Sequence, residues 1–164
     1  MSQIIRAETN EHFLTARELF EEYAAVLGVD LCFQNFDEEL RTLAKQYNAP
    51  DGCLLLAREA SQVVGCVALR KLDAQNCEMK RLYVKPSFRH LKIGQLLVTT
   101  IIAEAENLGY SAMRLDTLPS MTAAQRLYQS FGFREIAPYR FNPVAGTIFM
   151  ELRFPKSEPT ISTR

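Results

Sequence analysis

Apolar residues recur at three- and four-residue steps along several stretches of the chain, and this spacing predicts helices with one buried face. The first helix is predicted to run to about residue 27, with an N-cap offered by the Thr9-Asn10 pair and a stop at Gly28. A second is predicted to begin at Asp37, whose carboxylate would cap it, and to end at residues 48–52. Its inward positions are Leu40, Leu43 and Ala44.

The most regular helical pattern covers about residues 92–108, with Gly109 as its stop, and a shorter helix is predicted over residues 122–130. Apolar runs of strand length lie between the helices. They are residues 4–7, 53–57, 63–69, 77–84, 112–117, 133–136 and 147–152. The second and third runs are joined across residues 59–62, which predicts an antiparallel hairpin. Helices and strands therefore alternate, as in an α/β domain.

Length and composition place the chain among ordinary globular domains. Its 164 residues, 48% of them hydrophobic and 23% charged, fit one domain with a core of its own. We expect that domain over residues 1–154 and a disordered tail over residues 155–164, which is polar and contains two prolines. A mean hydropathy of -0.09 does not fit a membrane protein, so we expect no membrane partner.

The charge balance, the cysteines and the histidines indicate which partners, compartment and metal sites to expect. Nineteen basic and nineteen acidic residues cancel, so no overall basic field would recruit nucleic acid. Four cysteines lack a C-x-x-C pair and no signal peptide follows Met1, which favours a reducing cytoplasm. With only two histidines, a metal site or a Ser-His-Asp triad has few places to form. We expect no metal.

The segment 78–97 carries the clearest chemistry. A strand ends at Val84, a basic turn follows, and a helix opens near Lys92, so that unpaired backbone N–H groups and the helix dipole point at one place. The turn also contains Lys85, Arg89 and His90. Pyrophosphate would bind well there, although a basic turn of this kind is more often a solvated surface.

Two motifs resemble those of the GNAT superfamily of N-acetyltransferases. Residues 89–94, Arg-His-Leu-Lys-Ile-Gly, resemble its R/Q-x-x-G-x-G/A coenzyme A loop, and residues 124–133 resemble its A-x-x-L-Y-x-x-x-G-F segment. Lys92 stands where the family usually has its first glycine, and Met121 stands where it often has an asparagine. If Lys92 is helical, its side chain can be tolerated there. The order of strands and helices extends the resemblance over most of the chain.

The resemblance implies a fold and a cofactor. The fold would be of α+β type, with a mixed, mostly antiparallel sheet of six or seven strands, splayed at the cofactor site, and helices on both faces. The cofactor would be acetyl-coenzyme A, which donates its acetyl group directly to an amine. The residues that the resemblance assigns to the cofactor are Leu82, Tyr83, Val84, Arg89, His90, Leu91, Lys92, Ile93, Gly94, Gln95, Thr117 and Ala124. Backbone N–H groups of the first two would also stabilise an oxyanion.

Two residues are predicted to move protons. The attacking amine must be neutral, and an alkylamine is mostly protonated at neutral pH, so a base is useful. Glu78 resembles the strand glutamate that some family members use as base, and a period of two places it on the face of Leu82. Asp116 is the alternative. Tyr128 matches the tyrosine that the family uses to protonate the departing thiolate, although a helical tyrosine is often a core residue.

The acceptor is the least defined part of the prediction. Aromatic and polar loops at residues 31–36 and 138–143 are of the kind that line acceptor pockets, and Arg140 would suit a carboxylate. The predicted acceptor residues are Gln34, Asp116, Tyr139, Arg140 and Asn142. We expect a small amino-acid-like amine as acceptor. A non-catalytic acyl-coenzyme A-binding or regulatory module, or acetylation of a peptide or protein amine, is the alternative, and homodimer formation is left open.

Overall fold

The computed structural model describes residues 1–28, 31 and 35–156, and within them a sheet of seven strands. The strands are β1 (Ser2–Arg6), β2 (Cys53–Glu59), β3 (Gln62–Lys71), β4 (Asn76–Val84), β5 (Ala112–Thr117), β6 (Arg134–Ile136) and β7 (Ile148–Arg153). The helices are α1 (Asn10–Leu27), α2 (Phe36–Arg41), α3 (Leu43–Gln46), α4 (Ile93–Asn107) and α5 (Thr122–Ser130). A 3-10 turn, Pro86–Leu91, links β4 to α4.

The strands lie in the order β1-β2-β3-β4-β5-β7-β6. Every pairing is antiparallel except that of β4 with β5. One core lies between the sheet and α4, where Ile93, Leu97 and Ile101 are buried against β2, β3 and β4. A second core lies on the opposite face under α1 and α3, around Phe20 and Tyr47. The predicted fold class, a mixed sheet with helices on both faces, is confirmed.

Most element boundaries agree with the prediction because local signals set them. The Thr9 side chain accepts a hydrogen bond from the N–H of His12 at the start of α1, and Gly28 ends that helix with φ 64°. Gly109, with φ 89°, follows α4. The hairpin between β2 and β3 turns at residues 60 and 61, as expected.

The prediction for the second helix is wrong in two respects. Asp37 lies inside the first turn of α2 and does not cap it, because the chain enters the helix through Asn35 in the left-handed region, φ 55°. Thr42 then divides the predicted helix into α2 and α3, and Ala44 faces solvent. Residues 32–34 and 157–164 lie outside the described part of the chain, and with them most of the predicted tail.

The strands β4 and β5 separate after a short parallel ladder. Their pairing is confined to Asn76–Glu78 and Ala112–Arg114. Beyond those residues the carboxyl ends of both strands diverge, which opens the sheet at its middle. This is the splay that the sequence resemblance implied.

A β-bulge lies in β4 beside the opening. The register against β3 shifts between Cys66 and Ala68, and Arg81 adopts a left-handed backbone, φ 59°. The bulge inserts one residue into the alternation of side chains, so Lys80 and Arg81 point to the same face of the sheet. The prediction that Glu78 shares a face with Leu82 is therefore wrong. Leu82 packs against the core under α4, whereas Glu78 faces the opposite side.

Candidate active site

The predicted cofactor loop forms a helix N-terminus with free backbone donors. The first α-helical hydrogen bond of α4 runs from the N–H of Leu96 to the carbonyl of Lys92, so the N–H groups of Ile93, Gly94 and Gln95 precede the helical ladder. Lys92 is not helical. Its backbone is left-handed, φ 59°, and this explains why a glycine suits the position better.

Some side chains of the loop contact the rest of the domain, and others face solvent. Arg89 donates through Nε to the carbonyl of Val84 at 2.9 Å, and its guanidinium lies 5.9 Å from the ring centre of Tyr83. It therefore fixes the turn to the end of β4. Ile93 belongs to the core. Arg89 itself is exposed, as are the side chains of His90, Leu91, Lys92 and Gln95.

The separation of β4 from β5 creates a cavity that gathers several predicted residues. It is lined by Tyr23, Met79, Lys80, Arg81, Leu82, Leu115, Asp116, Met121 and Tyr128. Tyr128, on α5, is buried, and burial raises the pKa of its phenol above the ordinary value, so it stays protonated at neutral pH. Leu82, Asp116 and Tyr128 thus meet at one place, as a transfer site requires.

Two other predicted cofactor residues lie near the cavity's mouth. Thr117 follows Asp116 at the end of β5, and its buried hydroxyl oxygen makes no hydrogen bond within the described part of the chain. Ala124, on α5, is half-buried against the core under α4. A buried polar atom without a partner is costly, so Thr117 is suited to a ligand group that supplies one.

Glu78 is the centre of a charged cluster. Its side chain is 0% exposed. Arg70 donates through Nε to Glu78 Oε1 at 2.9 Å, the Tyr139 hydroxyl donates to Oε2 at 2.6 Å, and Arg140 forms an ion pair with Oε2. Lys80 Nζ lies 4.0 Å from Oε1. Both carboxylate oxygens are thus engaged, and two guanidinium groups converge on one carboxylate.

The loop before β7 supplies the predicted acceptor residues. Tyr139 and Arg140 contact Glu78, and Asn142 Nδ2 donates to Asp116 Oδ2 at 3.3 Å. Burial lowers the pKa of Arg140 to about 10, which still leaves it charged at neutral pH. The structure therefore brings together four of the five predicted acceptor residues, and the fifth, Gln34, lies outside the described residues.

A family-model comparison assigns the chain to a known group. Residues 12–133 match the model of the acetyltransferase (GNAT) family. The chain belongs to the GNAT acetyltransferase family. The predicted family and the predicted enzyme class, an acyl-coenzyme A-dependent N-acyltransferase, are confirmed. Acetyl-coenzyme A is the acyl donor, and the free donors of the α4 N-terminus and the open edge between β4 and β5 fit it.

Named relatives and solved structures agree with this membership. An uncharacterised N-acetyltransferase of Schizosaccharomyces pombe is 47% identical over 140 residues, which cover 84% of this chain and 86% of that protein. An IAA acetyltransferase of Azospirillum brasilense is 36% identical over 139 residues, covering 82% and 87%.

Among solved structures, an acetyltransferase of Streptococcus agalactiae superposes with a TM-score of 0.78 at 19% identity, covering 93% of this chain and 98% of that one. A Salmonella typhimurium acetyltransferase, solved with its cofactor acetyl-coenzyme A, gives a TM-score of 0.69 at 20% identity and covers 99% of both chains. These two show the fold.

Sequence reasoning missed four charged residues of this acetyltransferase. Arg70 and Lys80 are strand residues next to Glu78, and Glu39 of α2 pairs with Arg81, which lines the cavity. Arg70 and Lys80 could have been found from the sequence, because they are charged residues at inward positions of largely apolar strands. Over the described residues, no helix has the length and apolar character to cross a membrane, and no group of three His, Cys, Asp or Glu side chains could hold a metal.

Proposed function

We propose that this enzyme acetylates the primary amine of a small metabolite that also carries a carboxylate. The observation behind the proposal is the convergence of Arg70 and Arg140 on the single carboxylate of Glu78, next to the cavity. One carboxylate cannot saturate the ten N–H donors of two guanidinium groups. A substrate carboxylate therefore has donors to bind, in the forked geometry that arginine offers.

Asp116 supplies the complementary charge. It is half-buried, lines the cavity, and carries one carboxylate oxygen that accepts from Asn142. A substrate ammonium would be attracted to it, while the substrate carboxylate turns toward Arg140. This arrangement suits an amino-acid-like acceptor better than an amine without a carboxylate.

Roles for the remaining residues follow from their positions. Acetyl-coenzyme A supplies the activated acetyl group. Tyr128, protonated in the cavity, donates a proton to the leaving thiolate. Glu78 as general base stays a prediction, and its contacts favour a positioning role in which it holds Arg70 and Arg140 toward the acceptor.

The test is an acceptor screen that measures free thiol released from acetyl-coenzyme A. Each amino acid is paired with its decarboxylated amine, and peptides with a free α-amine form a third group. We expect the amino acids to be used best. Loss of a charge-assisted hydrogen bond costs roughly 1.5–3 kcal/mol, so Arg140→Gln should raise KM for an amino acid about 10- to 100-fold. It should leave the decarboxylated amine unaffected.

Arg134→Gln, an exposed arginine of β6, is the matched control and should behave as wild type. Equal use of both members of each pair would contradict the carboxylate requirement. Preference for peptides would favour a protein amine as the acceptor. Cofactor binding without turnover of any amine would favour the non-catalytic module.

A further inference from the structure

Lys80 occupies an unusual position for a lysine. It lies in the middle of a core strand, is only 6% exposed, and lines the cavity together with Asp116 and Tyr128. Lysine is among the residues least often buried in proteins, because its ammonium loses hydration. The bulge at Arg81 follows it directly and fixes the backbone there. Lys80 thus lies between the predicted acceptor residues and the opening of the sheet, and a lysine buried at that position is expected to have a function.

Titratable and charged groups face Lys80 from each element packed around it. They are Glu78 and Arg81 of β4, Arg70 of β3, Glu39 of α2, Asp116 of β5, Tyr23 of α1 and Tyr128 of α5. Burial lowers the pKa of Lys80 to about 7, and the charges of Arg81 and Arg70 act in the same direction. The carboxylates of Glu39 and Asp116 oppose the shift, and so does the charge of Glu78, whose Oε1 lies 4.0 Å from Lys80 Nζ. A large share of the Nζ atoms therefore carries a lone pair at neutral pH.

We infer that Lys80 takes the proton from the acceptor's ammonium in this cavity, while Asp116 holds that ammonium beside it. This inference rests on the proposed function. In the step, one N–H bond of the ammonium breaks and its electron pair stays on the substrate nitrogen. The lone pair of Lys80 Nζ takes the proton and passes it to water after the product leaves. The balance needs no other reactant.

Charge repulsion gives the neutral form of Lys80 a second function. An ammonium on Lys80 would repel the ammonium of the acceptor, whereas a neutral amine accepts a hydrogen bond from it. Both oxygens of Glu78 accept from Arg70 and Tyr139 and pair with Arg140, and these contacts favour a positioning role for Glu78. The acceptor should therefore bind and react in the pH range where Lys80 is neutral.

The first experiment is the pH profile of kcat/KM for an acceptor found in the screen. Wild-type enzyme should show a rise with pH centred near 7, the value to which the pKa of Lys80 is lowered. Lys80→Arg stays charged at every pH, so it should lose this rise and about 100-fold in kcat/KM. Lys80→Met, which removes the charge, should lose the rise as well. Lys71→Met, an exposed lysine of β3, should keep both.

The KM for acetyl-coenzyme A should not change in either Lys80 variant, and their far-UV circular dichroism shows whether they fold. A Lys80→Arg enzyme that keeps the rise near neutral pH would overturn the inference. A Lys80 variant whose only change is a higher KM for acetyl-coenzyme A would also overturn the inference, because a group that takes a proton from the amine does not act on cofactor binding.

The second experiment needs neither a variant nor an acceptor. Wild-type protein is labelled with trace acetic anhydride from pH 5 to pH 10, and the labelling of each lysine is measured by mass spectrometry. Labelling of Lys80 should rise to half its maximum near pH 7, and that of Lys71 near the ordinary lysine pKa of about 10.

The two experiments separate the possible failures. Labelling of Lys80 with a midpoint near 10 overturns the inference whatever the enzyme acetylates. A midpoint near neutral pH in a protein that acetylates no amine refutes the proposed function, and the role of Lys80 with it.

Discussion

Removing one partner of the ion pair between Arg81 and Glu39 should destabilise the part of the fold around the cavity. Arg81 donates through Nε to Glu39 Oε2 at 2.9 Å and through its terminal nitrogen to Oε1 at 2.8 Å. The two side chains are 4% and 3% exposed. The guanidinium also lies 5.9 Å from the ring centre of Tyr23 and 5.4 Å from that of Phe36. Arg81 therefore joins α1 and α2 to the bulge of β4.

The perturbation is Glu39→Ala, which leaves the Arg81 charge buried without its carboxylate. Removing one partner of a buried ion pair costs about 3–5 kcal/mol in the free energy of unfolding. For a chain of this length, 1 kcal/mol corresponds to ~2–4 °C in Tm, so Tm should fall by roughly 6–20 °C.

Glu38→Ala is a control from the adjacent position. Glu38 pairs with Arg41 on the same helix, but the two side chains are 57% and 67% exposed, so its removal should cost only about 0–1 kcal/mol. Because the chain contains no tryptophan, urea unfolding is best followed by far-UV circular dichroism. The double variant Glu39→Leu with Arg81→Met should recover much of the loss, since no unpaired charge stays buried.

The effect should also depend on pH. Burial acts to raise the pKa of Glu39, but the hydrogen bonds and charge of Arg81 outweigh it and hold the pKa below its ordinary value. The stability that this lowered pKa contributes is complete above the unfolded-state pKa of about 4.3 and is lost as the pH falls through the folded-state pKa. The difference between wild type and Glu39→Ala should therefore be full at pH 7 and shrink toward pH 3. If Glu39→Ala lost no more free energy of unfolding than Glu38→Ala, or if its loss did not depend on pH, the ion pair would not have the effect described.

Two further predictions concern the cavity and the sheet. Tyr128→Phe should lower kcat about 100-fold and leave the KM for acetyl-coenzyme A unchanged. A Tyr128→Phe enzyme with the kcat of the wild type would show that Tyr128 is not the acid. Tyr110→Phe, at the opposite end of β5, is the control. Gly65→Ala should lower the free energy of unfolding by about 1–3 kcal/mol, because its Cβ would meet the Tyr83 carbonyl oxygen at 2.9 Å and Leu97 at 3.3 Å. Thermal unfolding checks it against Gly94→Ala, whose Cβ makes an ordinary contact at 3.6 Å and should cost no stability.

Local signals in the sequence were sufficient to predict most of the elements, and short motifs were sufficient to predict the family. The apolar stripe and the Thr9 and Gly28 boundaries define α1, and the same kinds of signal define α4. These signals work because helix caps and apolar periodicity act over a few residues. The predicted coenzyme A loop was recognisable for a related reason, since its motif lies within a short stretch of sequence.

Tertiary structure decided the parts that depend on contacts distant in the chain. The bulge at Arg81 arises from register against β3, so it changed the face of Glu78 relative to Leu82 without any local mark.

The contacts of Glu78 likewise depend on residues that are distant in the chain. Arg70 meets Glu78 from β3, and the consecutive residues Tyr139 and Arg140 meet it from the loop before β7, so these contacts join two distant stretches of the chain to β4. The sequence alone was enough to recognise the family and to predict that coenzyme A binds at the turn after β4. That Lys80 lines the cavity and that Glu78 lies between two arginines became visible only in the folded structure, because burial and the proximity of charges are properties of the folded chain.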